Sequence, residues 1–264
     1  RHHIMIVPEL YEYHLAKDVR AFSSMRRGGV STGSFCAFNI NEFCGDNFDN
    51  VVENRRLLAS ELGITPDNIV MVHQVHNTRC LLVDEAWFQC SAEKRRQAAE
   101  GYDAILTKLP NVCIGVSTAD CIPVLLYDPE HRAIAAVHAG WRGTVQRITE
   151  KTVQRMQEVF GSCSDKLRAV IGPGISLDAF EVGDEVYARF SEEGFDMSAI
   201  SRHDEKWHID LSACNRLQLL HVGLQSDHIL MSNVCTFTHV NDFFSARRLG
   251  INSGRIFSGI MLKE

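Results

Sequence analysis

Two short stretches carry the reactive side chains with the most suggestive spacing: Thr118-Ala119-Asp120-Cys121 and His138-Ala139-Gly140-Trp141-Arg142-Gly143. Between them the apolar, β-rich runs 121–127 and 132–138 flank Asp128-Pro129-Glu130-His131, where proline takes the second position of a tight turn. A turn centred between Pro129 and Glu130 sets Cys121 opposite His138 on an antiparallel pair. Directly opposed side chains have Cβ atoms roughly 5 Å apart, so a thiolate and an imidazole can share one metal or one proton. A register slip of one residue would undo the pairing. Both residues sit where a strand runs into small or turn-prone neighbours, which is where a rigid scaffold presents reactive groups to solvent. Against this stands the ordinary use of cysteine as a small buried hydrophobe and of a strand histidine as a structural residue.

Further candidates lie upstream and in the tail. Residues 69–76, Ile-Val-Met-Val-His-Gln-Val-His, read as a buried strand, in which His73 and His76 fall on opposite faces. His76, at the strand end, is the better partner for a site. In Met25-Arg26-Arg27-Gly28-Gly29-Val30-Ser31 the paired glycines permit a tight loop whose N–H groups a ligand could approach, although a plain turn is the commoner reason for such a pair. Trp141 can stack on a flat ligand ring or join the core. Arg247-Arg248 can complete a pocket or an interface.

The elements that must position these residues follow from periodicity. Tyr11–Leu15 pairs with a strand at Ile4–Pro8, and another strand ends at Ser23-Ser24. Asp49 caps a helix running from Asn50 to Leu62, with Val51, Leu58 and Leu62 inward and Gly63 as its stop. Residues 91–101 form a surface helix or loop. Buried strands at 103–107 and 112–116 lead into the central hairpin, followed by a helix with Val145, Ile148, Thr152, Met156 and Val159 on one face. Beyond it come a strand at 167–171, capped helices from Asp184 to Phe195 and from Asp210 to Leu220, a short strand at 229–232 and a last strand at 255–262. The second of those helices turns Leu211, Cys214, Leu217 and Leu220 inward. Strands apolar on both faces need covering layers, and they are too numerous for one sheet. One mixed α/β domain with two packed sheets and helices outside is the simplest account.

Composition bounds the partners. The 264 residues carry a formal charge of −6 with no long basic run, which argues against nucleic acid and favours small molecules. No stretch reaches the ~18 apolar residues of a membrane span, so the expectation is a cytoplasmic protein with no membrane partner. Nine cysteines, scattered and without a C-x-x-C pair, are neither a disulfide framework nor a zinc finger. Residues 1–4, ahead of Met5, read as an appendage whose histidines belong to no site, leaving a single domain over 5–264.

The chain resembles the YfiH-type (DUF152) family, long described as polyphenol oxidases or laccases. The likeness runs nearly end to end through Arg26-x-Gly28-Gly29-Val30-Ser31, Phe38-Asn39, Gly45-Asp46, Asn54-Arg55, Gln74-Val75-His76, Asp103-Ala104, Thr118-Ala119-Asp120-Cys121-x-Pro123, His138-Ala139-Gly140-Trp141-Arg142-Gly143, Ile171-Gly172-Pro173, Glu181-Val182-Gly183 and Phe244-Ser245-x-Arg247-Arg248. It implies a single-domain α/β/β/α sandwich and a zinc site made by His76, Cys121 and His138, with Asn77 where the family usually has glycine. Three protein ligands leave one position of a tetrahedral zinc free, the arrangement of a catalytic site that activates water or polarises a substrate oxygen. The resemblance further implies phosphorolysis of adenosine, inosine, guanosine or methylthioadenosine to base and ribose 1-phosphate, and deamination of adenosine. Asp120 or Asp103 are then candidates for proton transfer, and Arg26 or Arg142 for holding phosphate.

Three rival readings remain open at this level. A copper-dependent polyphenol oxidase is disfavoured because multicopper sites use His-x-His ligands and none occurs, yet a Cys/His/His set does not itself reject copper. A metal-free Cys121–His138 dyad would be a hydrolase and leaves His76 without a role. A metal-stabilised, non-catalytic domain for partner binding or peptidoglycan editing would show no turnover.

Overall fold

The structure is a computed structural model that describes residues 6–264. Residues 1–5, which hold the segment expected to be an appendage and the first two residues of the strand expected from Ile4, lie outside the described residues, and positions 6–9 are irregular. The strands are β1 (Leu10–Tyr13), β2 (Val19–Ser24), β3 (Ile69–Val70), β4 (Cys80–Val83), β5 (Ala104–Thr107), β6 (Cys113–Thr118), β7 (Ile122–Asp128), β8 (Ala133–Ala139), β9 (Arg168–Ile171), β10 (Glu181–Val182), β11 (Ser201–His203), β12 (Trp207–Ile209), β13 (Ile229–Met231) and β14 (Ile256–Leu262). The helices are α1 (Phe48–Leu62), α2 (Glu85–Gln89), α3 (Ala92–Ala98), α4 (Trp141–Val145), α5 (Ile148–Phe160), α6 (Asp184–Glu192), α7 (Met197–Ile200), α8 (Leu211–His221) and α9 (Ala246–Leu249).

Two large mixed sheets form the centre, in the orders β1-β2-β14-β6-β3 and β13-β9-β7-β8-β5-β4, with a small third sheet β10-β12-β11 beside them. Strand alternation builds the layers. Ile114 and Val116 of β6 face Leu125, Tyr127, Ile134 and Ala136 of β7 and β8, filling the space between the sheets. Cys113, Phe257 and Met261 point the other way, onto Leu58, Ala59 and Leu62 of α1. On the far side Val124, Leu126, Ala135 and Val137 meet α5 through Ile148, Val153 and Met156, and α8 through Leu211, Cys214 and Leu219. The result is the expected α/β/β/α sandwich, each fully buried aliphatic or phenyl side chain contributing roughly 1.5–3 kcal/mol of transfer free energy.

Four local expectations are corrected. α1 begins at Phe48 because Asn47, not Asp49, is its cap: the Asn47 Oδ1 accepts from the Asp49 and Asn50 N–H groups at 2.9 and 3.3 Å. Strand β3 stops at Val70, so the stretch through His76 is a loop. In α8, Leu217 and Leu220 are only partly buried, since Asn215 and Gln218 take inward slots to hold Thr144 of α4. Finally, the β7–β8 register pairs Pro123 with His138 and Asp128 with Ala133. The connection is the four residues 129–132, with Arg132 at a φ of 47°. Relative to a turn at Pro129-Glu130 the shift is two residues, and a period of two preserves the face.

Candidate metal centre

His76, Cys121 and His138 meet at the open end of the hairpin, with ligand atoms all within 4.8 Å of one another. They come from three places: the loop between β3 and β4, the residue preceding β7, and the penultimate residue of β8. The two imidazoles lie 4.8 Å apart, centroid to centroid, nearly edge-on at 75°. Burial is graded: His138 is inside, Cys121 half-buried and His76 exposed, so the cluster opens to solvent on the His76 side.

Each donor is held from behind. The β5–β8 register, Ala104 with Val137, sets Asp103 against His138. Its carboxylate accepts from His138 Nδ1 at 2.7 Å, leaving Nε2 for the cluster. His76 has a φ of 64°, uncommon without glycine, and its N–H is bound by the same carboxylate. Gln74 continues the sheet in place of a strand residue, its amide bonding both the N–H and the carbonyl of Ser117. At Gly140 a Cβ would lie 2.9 Å from His76 Nδ1 and 3.0 Å from Cys121 Sγ, so glycine is what leaves room for the donors to converge.

The electrostatics favour His138 and Asp103 as a charged pair. Burial pushes His138 down, but the Cys121 sulfur and the Asp103 carboxylate outweigh it and raise the imidazole to about 9. For Asp103, burial pushes upward and the bond from His138, with backbone N–H groups, brings the carboxyl below its ordinary value. Partial enclosure of the His76 ring lowers it first and the charge of His138 next, with Arg142 adding to the effect and Asp103 opposing it. Two imidazoles and a thiol around a space that a Cβ would fill suit a borderline-soft ion such as zinc or copper, and three protein donors leave one position open.

The other candidates are placed differently. His73 is outside the cluster, bonded to Glu100 at 2.6 Å and stacked on Phe43 at 3.9 Å. Asp120, with a φ of 97°, spends Oδ1 on Thr236 Oγ1 and Oδ2 on the Arg247 N–H, at 2.7 and 2.8 Å. Arg26 donates to the carbonyls of Cys36 and Val240, so it braces a loop. The Gly28-Gly29 turn is closed against its own chain: a Cβ on Gly28 would lie 2.2 Å from the Val7 carbonyl oxygen. This is the plain-turn use of the pair. Arg142 is exposed, lies 4.5 Å over the Trp141 ring, and has no side-chain hydrogen bond or ion pair among the described residues. Arg247 reaches the Glu181 carbonyl, while Arg248 rests on Phe237. Reasoning from residue types gave no role to Gly140 or Gln74; their only signal was position within the two motifs that carry His138 and His76.

Fold and cluster together define a class: a four-layer α/β/β/α domain with a three-donor His/Cys/His group at an open strand end. The chain belongs to the family described as multi-copper polyphenol oxidoreductase laccase, whose model matches residues 20–263. It is 45% identical over 250 residues to a protein of Bacteroides thetaiotaomicron named purine nucleoside phosphorylase, covering 94% of this chain and 93% of the relative. It is 40% identical to "Adenosine deaminase RL5" from an unknown prokaryote, covering 97% and 99% of the two chains. Among solved structures, YlmD from Geobacillus stearothermophilus superposes with a TM-score of 0.88 at 29% identity, over 96% of this chain and 94% of that one. Among the described residues no helix is long and apolar enough to cross a membrane.

Proposed function

We propose that the chain is a zinc-dependent purine nucleoside phosphorylase, acting on adenosine, inosine, guanosine and methylthioadenosine, that also deaminates adenosine. The observation that carries the reading is the convergence of His76, Cys121 and His138, with the uncommitted guanidinium of Arg142 near enough for its charge to act on His76, in a chain similar to relatives named for those two activities. Zinc is favoured over a copper oxidase because a single three-donor group occurs among the described residues and His-x-His is absent from the sequence.

Bound here, the ion would be held by His76, Cys121 and His138 and would supply a Lewis acid with one open position. The chain's own part is positioning and charge. In phosphorolysis the bond from ribose C1′ to the purine nitrogen breaks with its electron pair on the base, and a phosphate oxygen takes its place on C1′. Arg142 holds the phosphate through charge-assisted hydrogen bonds, its plane set by Trp141 beneath it. Both oxygens of Asp120 are engaged, so that residue fixes the strand end carrying Cys121 and anchors α9. All nine cysteines are free, in keeping with the reducing cytoplasm as its compartment.

The test is a chromatographic product assay on metal-analysed protein with adenosine, with and without phosphate. Adenine appearing only with phosphate, and inosine in both, are the expected results, both vanishing in His138→Ala. Zinc-loaded protein that forms neither product overturns the reading and favours a non-catalytic domain; phenol oxidation dependent on added copper favours the oxidase.

A further inference from the structure

We infer that Asp103 is a positioning residue that organises two of the three donors at once, fixing the ring of His138 and the backbone of His76 through one saturated carboxylate. The inference rests on the metal reading of the cluster. Asp103 is completely buried, and four donors converge on its two oxygens. Oδ1 accepts the N–H groups of Val75 and Asn77 at 3.1 and 3.0 Å. Oδ2 accepts the N–H of His76 at 3.0 Å and Nδ1 of His138 at 2.7 Å. The Asp103 carbonyl also takes the backbone N–H of His138 at 2.8 Å. Three consecutive N–H groups aimed at one carboxylate form a concave anion-binding loop, with the anion supplied by the protein itself.

Two consequences follow for the donors. The left-handed φ of His76, costly for a residue with a Cβ, is the conformation that turns the N–H groups of 75–77 onto one point. The carboxylate stabilises that conformation and with it the direction in which the His76 ring leaves the loop. The same group accepts from His138 Nδ1, so the only tautomer it supports presents an unprotonated Nε2 to the cluster. With every strong lone-pair direction occupied, Asp103 has no place for a substrate proton, which separates it from a general acid.

Asparagine at this site keeps the shape but offers one acceptor oxygen, and its amide hydrogens face donors. Asp103→Asn should lower zinc affinity in chelator competition by about 100-fold, the top of the range for partners of ligating histidines, since two ligands are loosened together. The cobalt-substituted variant should also lose the intense visible bands of a tetrahedral site. Asp103→Glu, which keeps the charge and lengthens the arm, should fall between the two. Unmodified, zinc-loaded protein supplies a readout independent of any variant's folding: nitrogen NMR should show His138 ligated through Nε2 with the proton on Nδ1. Wild-type zinc affinity and cobalt spectrum in Asp103→Asn, or ligation through Nδ1, overturns the assignment. Failure of the unmodified protein to bind zinc overturns instead the metal reading on which it rests.

Discussion

The two ends of the β7–β8 hairpin carry the same chemical pair and put it to different ends. At the turn, Asp128 accepts the N–H groups of Glu130 and His131 on Oδ1, and His131 Nδ1 and Ser162 Oγ on Oδ2, with distances between 2.6 and 3.2 Å. At the open end Asp103 does much the same for His138 and the loop 75–77. Both carboxylates are fully buried. In the first pair the partners are three residues apart and the result is a stapled turn. In the second they are 35 residues apart, and the free side of the imidazole meets a thiol and a second imidazole brought by other elements. A histidine braced by a carboxylate is therefore not a site by itself; convergence of further donors from independent segments makes it one.

The largest contrast should appear between the arginines of the two ends. Arg132 is spent, paired with Asp18 and donating to the Lys263 carbonyl, whereas Arg142 is uncommitted. Arg142→Ala should reduce kcat/KM for phosphate by about 100-fold, the equivalent of one strong charge-assisted contact, while leaving adenosine deamination and zinc content unchanged. Arg132→Ala should leave both reactions as they were. An equal effect of the two substitutions on phosphate kinetics would show that Arg142 acts only through the overall field.

A smaller effect separates the carboxylates. Asp128→Asn leaves a buried donor short of an acceptor and should destabilise the protein by about 1–3 kcal/mol in urea unfolding, with zinc affinity as in the unaltered protein. Loss of zinc in this variant would mean that the turn and the open end are coupled through β7 and β8, and the distinction drawn between them would fall.

How far these ends could be read from sequence depended on whether the determinant was periodic or long-range. The layers were legible because strands apolar on both faces must be covered, and Cys121 and His138 share a side under any even register shift, including the two-residue shift found. His76 was separated from His73 by an argument from strand faces, yet the segment is a loop after Val70, and a positive φ is what turns His76 towards the cluster. The role of Asp103 was not legible: it depends on the β5–β8 register and on three N–H groups turning to one point. Asp120 and Arg26 carry types suited to catalysis, but type does not reveal that their polar atoms are already engaged.

The smallest effect expected is alkaline and belongs to the turn end. Tyr127, at the close of β7, donates its hydroxyl to Asp18 Oδ2 at 2.6 Å. Burial, followed by that bond and the charge of Asp18, pushes the phenol up to about 12. Since the unfolded chain releases this proton near pH ~10, the folded state alone keeps it through the interval above. The contribution to stability is thus fully present below about pH 10 and is lost as pH rises through about 12. Urea unfolding between about pH 8 and 11 should show a decline that Tyr127→Phe reduces, at a cost near neutrality of about 1 kcal/mol for the lost hydrogen bond. If the decline is as steep in Tyr127→Phe, the alkaline-sensitive group is elsewhere. The phenol of Tyr13 and the thiols of Cys113 and Cys214, all raised above their ordinary values by burial, would then be the groups to replace next.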